Sequence, residues 1–312
     1  MKTLKDIGEL VAIERVIKYL PKRADIVQGA GDDCAIIKPY ADSPHDWLFT
    51  SDAVIQNIHF TRETSPAAIG HKAVGRVLSD LAAMGGDPRW ALIDIVAPSE
   101  TPVATLDALY QGAVKLSDHY NLAIVGGDMA QAAALEMHVF AVGCVPTGSA
   151  LLRSNASPGD LLFVTGSLGG SIMEKHLSFE PRVNEGIWLR DWATALIDIT
   201  DGLATDLGHL TTMSKTGARL NITEIPLSHA ALNMDDKISP LDHALYDGED
   251  FELLFTLPSK KEKAFLAAWR DSVPLPCSLI GRMTDKTGVI ECVDKHENIT
   301  LLKKTGYEHF SG

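Results

Sequence analysis

The hydrophobic positions of the chain follow two periods, which predicts a mixture of helices and strands. Residues 6–20 carry apolar side chains at helical spacing, and Pro21 predicts the end of this helix. A second helix is predicted over residues 66–84, where apolar residues again recur every three to four positions. Gly85-Gly86-Asp87-Pro88 follows and predicts a sharp break. Both helices are therefore expected to be amphipathic.

Short apolar runs separate further helical segments and predict strands. In the first half, strands are predicted at 34–37, 47–51, 90–97, 122–125 and 135–145, with a helix over 101–119. In the second half, strands are predicted at 161–165, 195–199, 252–257, 278–283 and 287–293, with helices over 203–214 and 259–271. Turn-forming residues fill 146–160 between the halves. The sequence predicts an α/β (α+β) fold with domains at 1–148 and 149–312.

Length and charge narrow the class of protein. A chain of 312 residues is long for one core, and 46% hydrophobic with 22% charged residues is typical of a soluble protein. The net charge of −13 argues against a surface for nucleic acid or anionic membranes. The sequence has neither a membrane-length apolar run nor a signal peptide, so the cytoplasm is the expected location. The four cysteines are far apart and predict small buried residues.

The stretch 48–60 carries the first candidate chemistry. The apolar run before it predicts a strand that ends at Thr50, Ser51 and Asp52, and His59 follows seven residues after Asp52. Two hydroxyls and a carboxylate at a strand end indicate a site for a hard cation or for a phosphate. A plain turn is the alternative, because Ser and Asp also favour turns.

Further acidic stretches favour the cation. They are Gly31-Asp32-Asp33, Gly126-Gly127-Asp128 and Asp198-Ile199-Thr200-Asp201-Gly202, with Asp80 on the second predicted helix. Clustered carboxylates repel each other unless a cation lies between them. We therefore expect these residues to converge on divalent cations.

Two other features have competing interpretations. Lys72, Arg76 and Asp80 share one face of the second helix, and a solvated ladder of ion pairs is the favoured interpretation. A strand followed by the glycines of 166–170 could seat a phosphate at a helix start. That spacing matches neither of the two well-known glycine-rich phosphate motifs, so an ordinary turn is the alternative.

The order of the acidic and glycine-containing motifs along the chain resembles the thiamine-monophosphate kinase family. That family belongs to the superfamily of aminoimidazole ribonucleotide synthetase, selenophosphate synthetase and a hydrogenase maturation factor. The most specific motifs are Leu78-Ser79-Asp80-Leu81-Ala82-Ala83-Met84-Gly85 and the closing Gly306-Tyr307-Glu308-His309-Phe310. Gly248-Glu249-Asp250-Phe251-Glu252-Leu253 is a further match. The resemblance covers nearly the whole chain.

The resemblance implies ATP-dependent phosphorylation of thiamine monophosphate to the diphosphate, in thiamine diphosphate biosynthesis. It implies an N-terminal mixed-sheet domain that binds Mg²⁺ and ATP and pairs strands across a homodimer, and a C-terminal α/β sandwich that completes the site. Several Mg²⁺ ions would be held by Asp33, Thr50, Ser51, Asp52, Asp80, Asp128, Asp198 and Asp201. ATP would contact Gly127, Asp128, Arg153, Thr200 and Tyr110, and the acceptor would contact His59, Glu249 and Tyr307.

The resemblance also implies an electrostatic role for Asp52, Asp128 and Arg153, without a general base, because the nucleophile is an already ionised phosphate oxygen. His59 as a plain structural residue, Glu249 as a surface carboxylate and Tyr307 as an anchor of the tail remain alternatives.

This chain departs from the family pattern at four positions. Val77 stands in place of Asn, Met129 in place of Thr, Thr200 in place of Ser and Asp247 in place of Gly. Asp247 adds charge near the expected acceptor site. Two rival functions stay open: another superfamily enzyme with a different acceptor, and a non-catalytic nucleotide-binding module. The first cysteine, Cys34, follows Asp33, which argues against a selenophosphate synthetase.

Overall fold

A computed structural model describes residues 3–173 and 175–302. Its helices are α1 Leu4–Ile17, α2 Pro66–Ala83, α3 Val103–His119, α4 Lys175–Ser178, α5 Val183–Leu189, α6 Leu203–Met213, α7 His229–Asn233, α8 Pro240–Tyr246 and α9 Glu262–Ser272. The strands of the first half are β1 Ile26–Gln28, β2 Ala35–Ile37, β3 His45–Ile55, β4 Asp87–Ala97, β5 Ala123–Gly126, β6 Met129–Gln131 and β7 Glu136–Pro146. Those of the second half are β8 Leu161–Thr165, β9 Leu196–Asp198, β10 Gly217–Asn221, β11 Leu253–Leu257, β12 Cys277–Thr284, β13 Ile290–Val293 and β14 Ile299–Leu301.

These strands form two mixed sheets, which confirms the predicted fold class. The first sheet has the order β1-β2-β3-β7-β4-β5, with β6 paired to β4. The second has the order β14-β13-β10-β12-β8-β11-β9. The middle strands β8 and β11 are buried along their whole lengths, as their continuous apolar runs predict. Predicted acceptor contact Tyr307 lies outside the described residues.

Helix α2 lies between the two sheets and positions the site. Its start is capped by Ser65, whose hydroxyl accepts the amide of Ala68 at 3.3 Å. It packs closely on α3, because a Cβ atom on Gly70 would lie 1.9 Å from the carbonyl oxygen of Leu109. It also contacts β3 and β7 of the first sheet and β9 of the second. The polar side chains of α2 are therefore enclosed by both halves of the chain.

The prediction that a strand ends at Thr50 is wrong. Strand β3 continues to Ile55, because it pairs with β7 over its full length, from His45 opposite Pro146 to Ile55 opposite Glu136. Successive side chains of a strand point to opposite faces. Thr50 and Asp52 therefore share the α2 face, and Ser51 is exposed on the other. The hydroxyls and carboxylate come from mid-strand.

Helix α1 ends at Ile17 and is interrupted at Gly8, whose φ is +72°. Although its sequence is amphipathic, none of its residues is buried within the described chain.

Among the described residues, no helix is long and apolar enough to cross a membrane.

Candidate active site

Three of the predicted acidic residues converge at the centre of the molecule. Carboxylate oxygens of Asp33, Asp80 and Asp198 all lie within 4.8 Å of one another. Asp33 precedes β2, Asp80 lies on α2, and Asp198 ends β9, so both sheets contribute. Burial and the neighbouring carboxylates hold the pKa of Asp80 well above its usual value and raise the pKa of Asp198 to about 8. We call this group the carboxylate cluster.

Hydrogen bonds fix the orientation of each member of the cluster. The hydroxyl of Thr50 donates to Asp80, and the hydroxyl of Ser79 donates to Asp198 at 2.5 Å. Arg153 forms a bidentate pair with Asp33, through Nη2 at 2.5 Å and Nε at 3.1 Å. Burial and the charge of Asp33 raise the pKa of the adjacent Asp32 to about 7.

A second polar group, the α2 network, lies along the same helix. Arg76 Nη2 contacts Asp52 at 2.8 Å, and Arg76 Nη1 lies 3.4 Å from Glu249. Lys72 Nζ lies 2.7 Å from Glu249, and the Lys72 side chain is fully buried. The favoured interpretation of this helix face as a solvated ladder is therefore wrong. The second domain covers the face and supplies the carboxylate of Glu249.

His59 and His176 complete the surroundings of this network. Lys72 Nζ donates to the carbonyl oxygen of His59 at 2.7 Å and lies 2.9 Å from Nδ1 of His176. The His59 ring accepts the amide of Ile55 through Nδ1 at 3.0 Å. Burial and the charge of Arg76 lower the pKa of His59 to about 4, so its ring is neutral at pH 7.

Glu249 is held in a strained loop. Its φ is +64°, and its amide donates to the carbonyl of Thr200 at 2.7 Å. Two cations and His176 lower the pKa of its carboxyl to about 2, against the opposing effect of burial. The alternative of an ordinary surface carboxylate does not describe this residue.

The glycines of 166–170 support that loop. The amide of Gly169 donates to Asp250 at 2.9 Å, and the amide of Gly170 donates to Asp247 at 3.0 Å. These donors are engaged by carboxylates, which favours a structural turn over a phosphate seat. Asp247 also lies 2.9 Å from Nδ1 of His243.

The remaining predicted metal ligands lie outside the carboxylate cluster. Asp201 forms a separate group with Asp206 and His209, whose ligand atoms lie within 4.8 Å of one another. Asp128 is exposed, and its amide donates to the carboxylate of Asp94 at 2.8 Å. Ser51 is likewise not brought to the cluster.

The predicted ATP contacts come from both halves of the chain. Gly127 has φ +155°, and a Cβ atom there would lie 1.8 Å from the carbonyl oxygen of Ile93. Tyr110 is half-buried on α3. A groove of about 320 Å³ is lined mostly by apolar residues of α3, β4 and β6, which include Leu106, Leu109 and Met129. Thr200, in the second half, accepts through its carbonyl oxygen from the amide of Glu249, a member of the α2 network.

The donor set fits magnesium. Carboxylate and hydroxyl oxygens are the ligands that hard divalent cations prefer. Mutual repulsion of three buried carboxylates would be relieved by a cation, and a single arginine already compensates Asp33. The cluster can therefore hold Mg²⁺ and, with it, a polyphosphate.

Sequence reasoning missed several residues that shape the site. Asp206 accepts the amides of Thr200 and Asp201 at 3.0 Å and 3.1 Å. Asp32 belongs to the acidic stretch Gly31-Asp32-Asp33, but its role was not predicted: it accepts the backbone amide of Arg153 at 3.3 Å. The spacing of Arg76 and Lys72, four and eight residues before Asp80, placed them on one helix face, but it did not predict their burial.

Comparison with known proteins places the chain among relatives of the same length. Models of the AIR synthase related proteins match residues 31–145 with the N-terminal domain and residues 157–293 with the C-terminal domain. The thiamine-monophosphate kinase of Escherichia coli (strain K12) is 34% identical over 327 residues, covering 97% of this chain and 98% of that protein.

Solved structures agree with these matches. A structure described as AaThiL complexed with AMPPCP and TMP is 27% identical, covers 99% of both chains and has a TM-score of 0.85. A thiamine-monophosphate kinase from Stenotrophomonas maltophilia K279a is 32% identical, with a TM-score of 0.76 and coverage of 91% of this chain and 95% of that one.

Proposed function

The chain belongs to the thiamine-monophosphate kinase family, and we propose that it transfers the γ-phosphate of ATP to thiamine monophosphate, giving thiamine diphosphate. One observation carries the proposal: Asp80 of the carboxylate cluster and Lys72 and Arg76 of the α2 network lie at four-residue intervals on a single helix. That helix places a polyphosphate site next to a site of mixed charge. The structure described with AMPPCP and TMP supports ATP and thiamine monophosphate as the two occupants.

The proposed metal, ATP and acceptor sites each draw residues from both domains, 1–148 and 149–312. We assign Mg²⁺ to Asp33, Asp80 and Asp198, with Thr50 and Asp52 beside them. Ser51, Asp128 and Asp201 lie outside the cluster and are assigned to further Mg²⁺ ions. Bound Mg²⁺ would neutralise phosphate charge, which is the principal need of phosphoryl transfer. The chain's own residues hold the partners in line: Thr50 and Ser79 orient the carboxylates, and Arg153 fixes Asp33.

ATP is assigned to Gly127, Asp128, Arg153, Thr200 and Tyr110. Gly127 is exposed and has no side chain, so its backbone is accessible to a phosphate, and the Ile93 carbonyl leaves no room for a Cβ atom there. The apolar groove beside α3 suits a flat adenine ring. Arg153 supplies a rigid cation beside the cluster.

The acceptor is assigned to His59, Glu249 and Tyr307, the last outside the described residues. The acceptor phosphate is its own nucleophile, since its oxygens are largely ionised at pH 7. A general base is not needed, and His59 with a pKa of about 4 is suited to hydrogen bonding. Because Lys72 already pairs with Glu249, we assign Glu249 to orienting the acceptor more than to neutralising its ring charge.

We propose a cytoplasmic homodimer. The face of the first sheet opposite α2 carries a stack of Trp47 on Trp90, with ring centroids 5.3 Å apart. Trp90 and Leu92 are 45% and 40% exposed there. An apolar sheet face of this kind is typical of a subunit interface, and it supports pairing between two copies.

An acceptor panel tests the function. Purified protein with Mg²⁺ and ATP should release ADP faster when thiamine monophosphate is added than with thiamine, aminoimidazole ribonucleotide or no acceptor. Stimulation only by a different phosphorylated compound would support another superfamily activity. Calorimetric ATP binding without turnover on any acceptor would support a non-catalytic module.

A further inference from the structure

Arg76 bridges the two halves of the proposed reaction site. Its Nη2 atom contacts Asp52 at 2.8 Å, and its Nη1 atom lies 3.4 Å from Glu249. Asp52 belongs to the proposed metal end, whereas Glu249 belongs to the proposed acceptor end. The guanidinium therefore lies between the groups that would hold the donor and acceptor phosphates.

Arg76 differs from its neighbour Lys72 in how its donors are used. The ammonium group of Lys72 donates to Glu249 and to the carbonyl of His59, and it lies 2.9 Å from Nδ1 of His176. By contrast, the Nε atom of Arg76 is buried without a hydrogen-bond partner among the described residues. Its contact with Glu249 is also longer than that of Lys72. The ammonium group of Lys72 is therefore occupied by contacts within the protein, whereas the guanidinium of Arg76 has an N–H group that is still available to a ligand.

Charge counting gives the same division. In the ligand-free network, Lys72 and Arg76 balance Asp52 and Glu249. If Asp52 becomes a metal ligand, its charge is shared with the metal, and Arg76 loses the full strength of its shortest ion pair. Lys72 still compensates Glu249. A buried guanidinium in that position then requires another anion, and the anions that enter this site are phosphates.

We propose that Arg76 exchanges Asp52 for a phosphate oxygen and binds the phosphoryl group in transfer between ATP and the acceptor. This inference rests on the proposed function. In the step, an acceptor phosphate oxygen forms a bond to the γ-phosphorus while the bond from the γ-phosphorus to the β,γ-bridging oxygen breaks, and that oxygen keeps the electron pair in ADP. Arg76 transfers no proton. Its forked donors stabilise the charge on the equatorial oxygens.

Three variants test the proposal. Arg76→Ala removes the guanidinium, and Arg76→Lys keeps the charge but loses the fork. Arg190→Ala is the matched control, because Arg190 has a similar exposure (18% against 16%) and also pairs with one carboxylate, Asp87. The measurements are kcat and KM for thiamine monophosphate, calorimetric binding of AMPPCP with Mg²⁺, the melting temperature, and rescue of activity by added guanidinium chloride.

We expect Arg76→Ala to lose roughly 10²-fold or more in kcat, the scale for removing one electrostatic catalytic group. Binding of AMPPCP with Mg²⁺ should weaken by no more than about 3-fold, far less than kcat falls, because the lost contact with the γ-phosphate is offset by the release of Asp52 from its ion pair with Arg76. Guanidinium should restore activity to Arg76→Ala, whereas equal sodium chloride should not. Arg190→Ala should keep its kcat and show no rescue.

A kcat for Arg76→Ala within about 3-fold of wild type overturns the inference. So does a loss that guanidinium does not rescue and that matches an equal loss of AMPPCP binding, since this is the result of a purely structural role. If Arg76→Ala does not fold, Arg76→Lys decides: wild-type kcat overturns the inference, and a tenfold loss at an unchanged melting temperature supports it. An inactive wild type on thiamine monophosphate would instead show that the proposed function itself is wrong.

Discussion

The ammonium nitrogen of Lys72 lies 2.7 Å from a carboxylate oxygen of Glu249, which joins helix α2 to the loop before β11 across the two halves of the chain. Replacing Lys72 with Met should lower the free energy of unfolding by about 3 kcal/mol, because the change leaves part of the charge of Glu249 uncompensated in a buried site. Urea unfolding at pH 7 measures it.

Lys286→Met is the control for that variant. Lys286 also contacts a glutamate, Glu291, but its side chain is 54% exposed. Exposed pairs contribute about 1 kcal/mol or less. An equal decrease in the free energy of unfolding for Lys72→Met and Lys286→Met would contradict the claim that the ion pair of Lys72 with Glu249 stabilises the contact between the two halves of the chain.

Asp80→Asn should abolish the stabilisation by Mg²⁺ with AMPPCP without lowering the melting temperature of the ligand-free protein. The change relieves repulsion among Asp80, Asp33 and Asp198, while the amide oxygen can still accept from Thr50. The melting temperature without ligand should therefore hold or rise, and the increase produced by Mg²⁺ with AMPPCP should largely vanish. Asp271→Asn, at an exposed site, should respond as wild type. A normal ligand-induced increase in Asp80→Asn would refute the metal assignment.

Asp250 should make the protein less stable as the pH rises through the acid range. Burial raises its pKa to about 7 in the folded protein, against about 3.9 for an unfolded aspartate. The folded state therefore holds the proton more tightly, so this group's contribution to the free energy of unfolding falls between about pH 4 and pH 7 and levels off above.

Asp250→Asn removes that dependence and can still accept the Gly169 amide. The variant should gain stability relative to wild type as the pH rises, with the larger difference at pH 8 than at pH 4. Urea unfolding curves at several pH values give the comparison. Parallel profiles for the two proteins would show that Asp250 does not titrate in this range.

Gly127→Ala and Gly126→Ala form a matched pair at the proposed ATP site. A Cβ atom at Gly127 would lie 1.8 Å from the Ile93 carbonyl oxygen, whereas one at Gly126 would lie 3.5 Å from a side-chain atom of Leu92. Gly127→Ala should shift the backbone and weaken AMPPCP binding at least tenfold, and Gly126→Ala should bind within about 3-fold of wild type. Calorimetry compares them; equal affinities would remove Gly127 from the site.

Local sequence patterns were sufficient to predict the elements that carry this site. The apolar stripe of α2 and the continuous apolar runs of β8 and β11 each specify their own conformation. The end of β3 was mispredicted, because polar residues in mid-strand are compatible with pairing to β7, and that partner lies about 90 residues away in sequence.

The charged residues of the site depend on contacts that no local pattern contains. Asp33, Asp80 and Asp198 could be expected to converge because repeated acidic motifs share a chemistry. The burial of Lys72 could not be predicted, because its partner Glu249 is 177 residues distant in sequence. The spacing of Lys72, Arg76 and Asp80 is equally compatible with a solvated face and with an enclosed one. The helix face is enclosed because the second half of the chain packs on it and supplies Glu249.

The central claim is direct transfer from ATP to thiamine monophosphate, and the most direct measurement follows the phosphate itself. Purified protein is incubated with Mg²⁺, thiamine monophosphate and ATP labelled at the γ-phosphate, and the products are separated by chromatography. The label should appear in thiamine diphosphate, in an amount equal to the ADP formed. Label found only in inorganic phosphate, or absence of labelled thiamine diphosphate, would contradict the account.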